Sequence, residues 1–277
     1  MKSYLIGLVG SGIEPSLSPA LHEAEAAALG LRYVYRLLDS DVLEGDLGEL
    51  VRTARRLGYD GLNVTHPYKQ AVIAHLDELS DDAAELGAVN TVVYSGDGAV
   101  GYNTDWTGFA GSFTEGLPDV PMRRIVQLGA GGAGAAVAYA LLSLGAGQLT
   151  IVDSEAQRAV ELADRLADRR VFHASQDGLA DLVANADGLV NASPIGMAQY
   201  PGVPLPEALL RRELWVADIV YRPLETELLR RARAAGCRTL DGGGMAVLQA
   251  AHALELFTGR TPDTSRMLTH LKELANA

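Results

Sequence analysis

Apolar positions along the chain follow two alternating periods, and that alternation sets the expected architecture. Residues 3–9, apolar from Tyr4 to Val9, read as a buried strand, and residues 33–38 alternate like a strand. Between them, residues 19–29 are Ala-rich with helical spacing and are stopped by Gly30. Residues 47–57 repeat the helical pattern up to Gly58, and residues 61–64 make a third short strand. A helix is expected next, running through Lys69 to Leu76. Residues 91–94 and 99–102 flank Gly96-Asp97-Gly98, the turn chemistry of a hairpin. Strands alternating with helices predict a mostly parallel sheet, with the hairpin as an antiparallel addition.

A helix from Thr104 towards Glu115 leads into Gly116-Leu117-Pro118-Asp119-Val120-Pro121, the strongest cluster of chain breakers. A second strand–helix series begins there. Its clearest strands are residues 124–128, 149–152, 188–190 and 214–219, and everything from Met245 onward reads as helix without a further strand. The fold class is therefore α/β, and spacing leaves open whether the last helical segment returns to cover the first domain.

Composition narrows the function. No apolar run approaches the roughly 18 residues that cross a bilayer, and the N-terminal apolar stretch is too short for a signal segment. The expected location is the cytoplasm. A net charge of -12 sets the overall field against nucleic acid; Arg55-Arg56 and Arg169-Arg170 are expected on solvated, helix-like faces. Cys237 is the single cysteine, which excludes an intrachain disulfide, and the six histidines show no ligand spacing, so no metal is expected.

The apolar strand at 125–128 runs straight into Gly129-Ala130-Gly131-Gly132-Ala133-Gly134, followed by an Ala-rich helix. This satisfies G-x-G-x-x-G at Gly129, Gly131 and Gly134. The first glycine makes the tight turn, the second lets the backbone approach a pyrophosphate, and the third lets helix and strand pack closely. The helix N-terminus then offers free N–H groups to the phosphates. The next strand ends at Asp153, about twenty residues on, where a carboxylate meets a ribose 2′-hydroxyl and repels a 2′-phosphate. NAD rather than NADP follows. Asp153 or Ser154 could equally cap the helix that starts near Glu155.

Asn63-Val64-Thr65-His66-Pro67-Tyr68-Lys69 puts polar groups at a strand end and a lysine at the expected start of a helix. A cation there is electrostatically misplaced, which suits a proton acceptor, although a surface lysine has the same spelling. Thr104 or Asp105, after Gly101-Tyr102-Asn103, would serve as an N-cap, and Ser18 before Pro19 reads the same way.

Eight ordered motifs change this picture. They are Ser16-Leu17-Ser18-Pro19, the Asn63 to Lys69 run, Gly87-Ala88-Val89-Asn90-Thr91, Gly101 to Asp105 with Gly108, the glycine-rich turn, Asn191-Ala192-Ser193-Pro194-Ile195-Gly196-Met197, the stretch from Asp218 to Pro223, and Gly244-Met245 with Gln249. Over nearly its full length the chain resembles the shikimate dehydrogenase family. The resemblance implies an N-terminal α/β substrate domain over residues 1–105 joined by a C-terminal helical return over 245–277, a Rossmann dinucleotide-binding domain with a parallel sheet over 106–244, and an active site in the cleft. It implies that Lys69 and Asp105 bracket the hydroxyl being oxidised, with Lys69 as base or electrostatic stabiliser. Ser16 and Ser18 would hold the substrate carboxylate with Tyr221 nearby, while Asn63, Thr65, Asn90 and Gln249 would hold ring hydroxyls. Gly129, Ala130, Gly131, Gly132, Ala133, Asp153, Ser193, Ile219 and Gly242 would contact the cofactor.

Departures from the commoner pattern point within the family. Asp153-Ser154-Glu155 stands where NADP-using members carry a basic residue, and His22-Glu23 replaces His-Asn; both resemble the NAD-dependent quinate/shikimate branch. The expected activity is interconversion of shikimate and 3-dehydroshikimate, and of quinate and 3-dehydroquinate, by a monomer or homodimer acting on a small cyclic polyhydroxy carboxylate. The alternatives are an NADP-dependent biosynthetic shikimate dehydrogenase and a non-catalytic NAD or shikimate sensor. Cys237 and His66 are expected to be bystanders, and Trp106 to wall a pocket or pack a domain junction.

Overall fold

Ala, Leu and β-branched residues at strand spacing build two separate sheets. The structure, a computed structural model, describes residues 2–43, 45–96 and 98–275, and these divide into two units, residues 1–104 with 247–277 and residues 105–246.

In the first unit the chain runs β1 (Ser3–Gly10), α1 (Ser18–Ala28), β2 (Arg32–Asp39), α2 (Leu47–Arg56), β3 (Gly61–Val64), a 3-10 turn (Ala71–His75), β4 (Glu78–Leu79), α3 (Asp81–Leu86), β5 (Thr91–Ser95) and β6 (Gly98–Tyr102). The sheet order is β2-β1-β3-β5-β6-β4. Strands β1, β2 and β3 are parallel, and the β5/β6 hairpin is antiparallel beside β3. Asp97, in the hairpin turn expected from the sequence, lies outside the described residues.

Helix α4 (Thr104–Gly116) opens the second unit. It continues through β7 (Arg124–Leu128), α5 (Gly132–Ser143), β8 (Gln148–Val152), α6 (Ala156–Leu166), β9 (Val171–Ala174), α7 (Leu179–Ala184), β10 (Gly188–Asn191), β11 (Trp215–Asp218), α8 (Glu227–Ala234) and β12 (Arg238–Leu240). All six strands are parallel in the order β12-β11-β10-β7-β8-β9. Strands β10 and β11 are buried along their whole length, as is usual in an all-parallel sheet, and are apolar up to their last residues, Asn191 and Asp218. Helix α9 (Gly243–Thr258) leads out of this unit, and α10 (Thr264–Ala275) follows it.

Helix α9 returns to the first sheet. Ala253 and Phe257 share a buried cluster with Ile6, Leu8, Ile13 and Tyr35. Gly61 makes room for the Phe257 ring, which a side chain at that position would strike. Helix α10 docks on α1 through Glu25, which is 1% exposed: its carboxylate accepts from the Asp263 N–H at 2.8 Å and from Arg266 Nη2 at 2.7 Å and Nε at 2.8 Å. His22 on α1 is buried against Tyr33, with Nδ1 and the hydroxyl 3.1 Å apart, and burial pushes its imidazole down to about 3.

Three local expectations need correction. Residues 66–70 are turns and 71–75 a 3-10 helix, so no α-helix begins at Lys69. The Lys69 carbonyl, which an α-helix would need at its fourth following residue, accepts the Val89 N–H at 2.7 Å instead. Ser18 is the first helical residue rather than the cap; Leu17 takes the cap position without a side-chain bond, and Ser16 Oγ accepts from Ser18 N. Arg170 is no solvated helix residue. It follows α6 in a turn, pairs with Asp168 at 2.6 Å and donates to the carbonyls of Leu142 and Ala146.

Candidate active site

The parallel strands of the first unit deliver their polar residues to one edge. Loops after β1 and β3 touch there, through Ser11 N–H to His66 carbonyl and Thr65 N–H to Val9 carbonyl. Asp39, at the end of β2, accepts from the backbone N–H groups of Asp41, Ile13 and Gly12. The Asp41 N–H, then those of Ile13 and Gly12, hold the Asp39 carboxyl below its ordinary range. That clasp shapes the loop carrying Ser16 and leading to Ser18.

Asn63 and Asn90 are buried, and their amides already have protein partners. Tyr35 donates its hydroxyl to Asn63 Oδ1 at 2.8 Å, and Asn63 Nδ2 donates to Thr91 Oγ1 at 3.1 Å. Asn90 Oδ1 accepts from Thr104 N at 2.7 Å, and its Nδ2 donates to Thr104 Oγ1 at 2.9 Å. This orients both amides and starts α4, whose second residue is Asp105. Asp105 is therefore a buried acid in the first turn of a helix, where the dipole favours negative charge; an N-cap role is excluded, since the helix starts one residue earlier. Thr65 and Lys69 lie on the loop after β3, partly exposed. Gln249 occupies the same stripe of α9 as Ala253 and Phe257, at helical spacings of four.

In the second unit the edge is built from glycine. Gly129 has φ 102°, and a Cβ there would lie 2.6 Å from the backbone of Ala192 and 2.7 Å from Ser193 N. Gly134 abuts the Gly129 carbonyl, so helix and turn pack backbone to backbone. Nothing lies within 4 Å of a Cβ built on Gly131, the N-cap of α5. Gly132 and Ala133 begin that helix, whose free N–H groups form a ready anion site. Asp153 Oδ2 accepts from Ala130 N at 2.7 Å and Oδ1 from Glu155 N at 2.9 Å, so the carboxylate ties the glycine-rich turn to the end of β8. It does not cap α6, whose N-cap is Glu155 without a side-chain bond. Gly242 packs on the Ile219 carbonyl, and the Ser193 hydroxyl donates to Asn191 Oδ1 at 2.6 Å. The residues expected to contact a dinucleotide thus share one edge of this sheet. Tyr221 follows in the loop after β11, and burial pushes its hydroxyl up.

Two residues here escaped the sequence reading. Gln127, fully buried, donates through Nε2 to the carbonyls of Gly129 and Gly134, at 2.9 and 2.8 Å. Its signal was a lone amide inside an apolar strand. Arg158, on the exposed first turn of α6, pairs at 2.7 Å with Glu155, two residues past Asp153 in the chain. Trp106 packs edge-on against Tyr139, with ring centroids 5.2 Å apart. Cys237 is buried, its thiol on the Arg211 carbonyl. Among the described residues, no group of three His, Cys, Asp or Glu side chains could hold a metal ion, and no helix is long and apolar enough to cross a membrane.

Comparison with known proteins bears on this geometry. Residues 8–92 match the shikimate dehydrogenase substrate binding domain and residues 242–272 the shikimate 5'-dehydrogenase C-terminal domain. Over 99% of its length the chain is 62% identical to a shikimate dehydrogenase (NADP(+)) of Streptomyces avermitilis, covering 96% of that protein. The chain belongs to the shikimate dehydrogenase family. Within the family it is also 50% identical to a quinate/shikimate dehydrogenase (NAD(+)) of Corynebacterium efficiens, over 96% of each chain. Among solved structures, the quinate dehydrogenase of Corynebacterium glutamicum in complex with NAD superposes with a TM-score of 0.94 at 47% identity, over 98% of this chain and 99% of that one. The chain is an oxidoreductase with a Rossmann-type unit, and its cofactor class is a nicotinamide dinucleotide.

Proposed function

We propose that this enzyme oxidises shikimate to 3-dehydroshikimate, and quinate to 3-dehydroquinate, with NAD as hydride acceptor. The observation that carries the choice of NAD is Asp153: its carboxylate ends β8 beside the glycine-rich turn and is followed by a second acid, Glu155. Negative charge there favours a ribose diol and opposes a 2′-phosphate. Residues 1–105 and 245–277 form the substrate-binding part, and residues 106–244 the cofactor-binding part.

Bound dinucleotide supplies the hydride-accepting carbon; the remaining work falls to the chain. Lys69 accepts the hydroxyl proton as the carbon–hydrogen bond breaks, and Asp105 orients Lys69 and that hydroxyl. Ser16, Ser18 and Tyr221 donate to the substrate carboxylate. Asn63 and Asn90, their amides set by Tyr35 and Thr104, hold the ring hydroxyls with Thr65 and Gln249. Gly129, Ala130, Gly131, Gly132 and Ala133 cradle the pyrophosphate, while Ser193, Ile219 and Gly242 border the rest of the cofactor.

Arg158 favours a second reading, in which the enzyme uses NADP. Released from Glu155, its guanidinium is the kind of donor that pairs with a 2′-phosphate, and the Streptomyces relative is an NADP(+) enzyme by name. A steady-state panel of shikimate and quinate with NAD and NADP separates the two. NAD is expected to give a kcat/KM about tenfold or more above NADP; the reverse order establishes the second reading, and no turnover with any pair points to a sensor.

A further inference from the structure

Asp218 ends β11 with 1% of its surface exposed. Its three hydrogen bonds all come from neutral donors. Asn191 Nδ2 donates to Oδ1 at 2.9 Å, the Val220 N–H to Oδ1 at 3.1 Å, and the Thr226 hydroxyl to Oδ2 at 2.7 Å. Burial without a countercharge pushes the carboxyl up to about 6, against the pull of those bonds. A charge held this way is an expensive means of filling space.

Two chains of contact leave it. Through Asn191, the first reaches Ser193: Asn191 Oδ1 accepts both the Ser193 hydroxyl at 2.6 Å and its N–H at 3.2 Å, while Asn191 Nδ2 also holds the Ile195 carbonyl at 2.9 Å. The second runs through the Val220 N–H and fixes the loop just after Ile219, whose own N–H is on the Asn191 carbonyl at 3.0 Å. Ser193 N in turn lies against Gly129, where a Cβ would come within 2.7 Å, and Ile219 lies against Gly242. Thr226 anchors the far side, capping α8 through Leu229 N. The amide of Asn191 is thus oriented by Asp218, and an amide free to flip would present Nδ2 to the Ser193 hydroxyl in place of an acceptor.

We infer that Asp218 is a positioning residue for dinucleotide binding, holding the Ser193 hydroxyl and the Ile219 backbone against the glycine-rich turn without touching the cofactor itself. The inference rests on the reading that residues 106–244 bind a nicotinamide dinucleotide. An acceptor at Oδ1 is the essential feature, and the charge is not: an asparagine in this position still accepts from Asn191 and Val220.

Fluorescence titration of the full-length protein with NADH and with NADPH, alongside the KM for shikimate, tests this. Asp218→Ala is expected to raise the Kd of the preferred dinucleotide about tenfold while the shikimate KM shifts less than about twofold, and Asp218→Asn to recover most of the lost affinity. Asn191→Ala breaks the same chain one link nearer Ser193 and is expected to match Asp218→Ala; it serves as the test if the Asp218 variant fails to fold. Wild-type dinucleotide affinity in both alanine variants overturns the inference, as does equal weakening of dinucleotide and shikimate, which marks general loosening. A wild-type protein that binds neither dinucleotide overturns instead the reading on which the inference stands.

Discussion

Replacing Asp153 separates two roles that the structure superposes on one carboxylate. As a clasp it accepts the Ala130 and Glu155 N–H groups at 2.7 and 2.9 Å. As a selector it would accept from the ribose diol. A hydrogen bond to a charged group contributes about 1.5–3 kcal/mol, so losing the diol contact in Asp153→Ala should lower kcat/KM with NAD by about ten- to a hundredfold. Relief of repulsion between a carboxylate and a 2′-phosphate some 4 Å away is worth about 1–4 kcal/mol between the limits of water and a protein surface, which should raise kcat/KM with NADP by about fivefold or more. Together the NAD-to-NADP ratio should fall by about fiftyfold at least. Asp153→Asn retains an acceptor for Ala130 and removes the charge, so it should recover the clasp and still relax the preference. Initial rates with saturating shikimate and varied NAD or NADP give both ratios. If the ratio stays at its wild-type value in both variants, Asp153 is a clasp alone and the argument for NAD is wrong.

Other perturbations have equally definite outcomes. Lys69→Ala and Asp105→Asn should each lower kcat by about a hundredfold or more, the scale of lost proton-transfer assistance, with NADH affinity by fluorescence unchanged; wild-type rates would remove both from the chemistry. Gly129→Ala forces a side chain onto the Ala192 backbone at φ 102° and should cost about 1–3 kcal/mol in urea unfolding, together with most dinucleotide binding. His22 titrates at about 3 in the folded protein against about 6.5 unfolded. The unfolded chain therefore binds the proton first, and stability present above pH 6.5 should be lost towards pH 3 at about 1.4 kcal/mol per pH unit. His22→Gln should flatten that part of a stability–pH curve, and an unchanged slope would reject the assignment.

Much of the fold was legible because strand ends and helix stops carried their own chemistry. Gly61–Val64 and Arg124–Leu128 fall where the apolar runs are, and Gly30 and Gly58 end helices as C-terminal glycines do. What the pattern could not carry was competition from distant partners. Val89, twenty residues away, takes the Lys69 carbonyl and turns an expected helix into a 3-10 segment. Strand β4 has two residues, too few for any period, and β9 is an exposed edge with Phe172 half open to solvent. At the candidate site, the glycine-rich turn and Asp153 could be read from spacing. The supports could not: Gln127 under the turn is a lone amide within an apolar run, Asp218 behind Asn191 ends another, and Tyr35 on Asn63 lies in a strand of mixed polarity. Their partners appear only once the sheets are assembled.

The order in which the two units can be completed follows from the route of α9 and α10. Residues 105–246 form an uninterrupted stretch, so the parallel sheet has every strand available once residue 246 has left the ribosome. The other sheet is finished in strands much earlier, by Tyr102, yet its face lacks Ala253 and Phe257, and Glu25 lacks Arg266. During synthesis the earlier-made half therefore waits, partly uncovered, for residues 247–277, and removing those residues should injure the half made first.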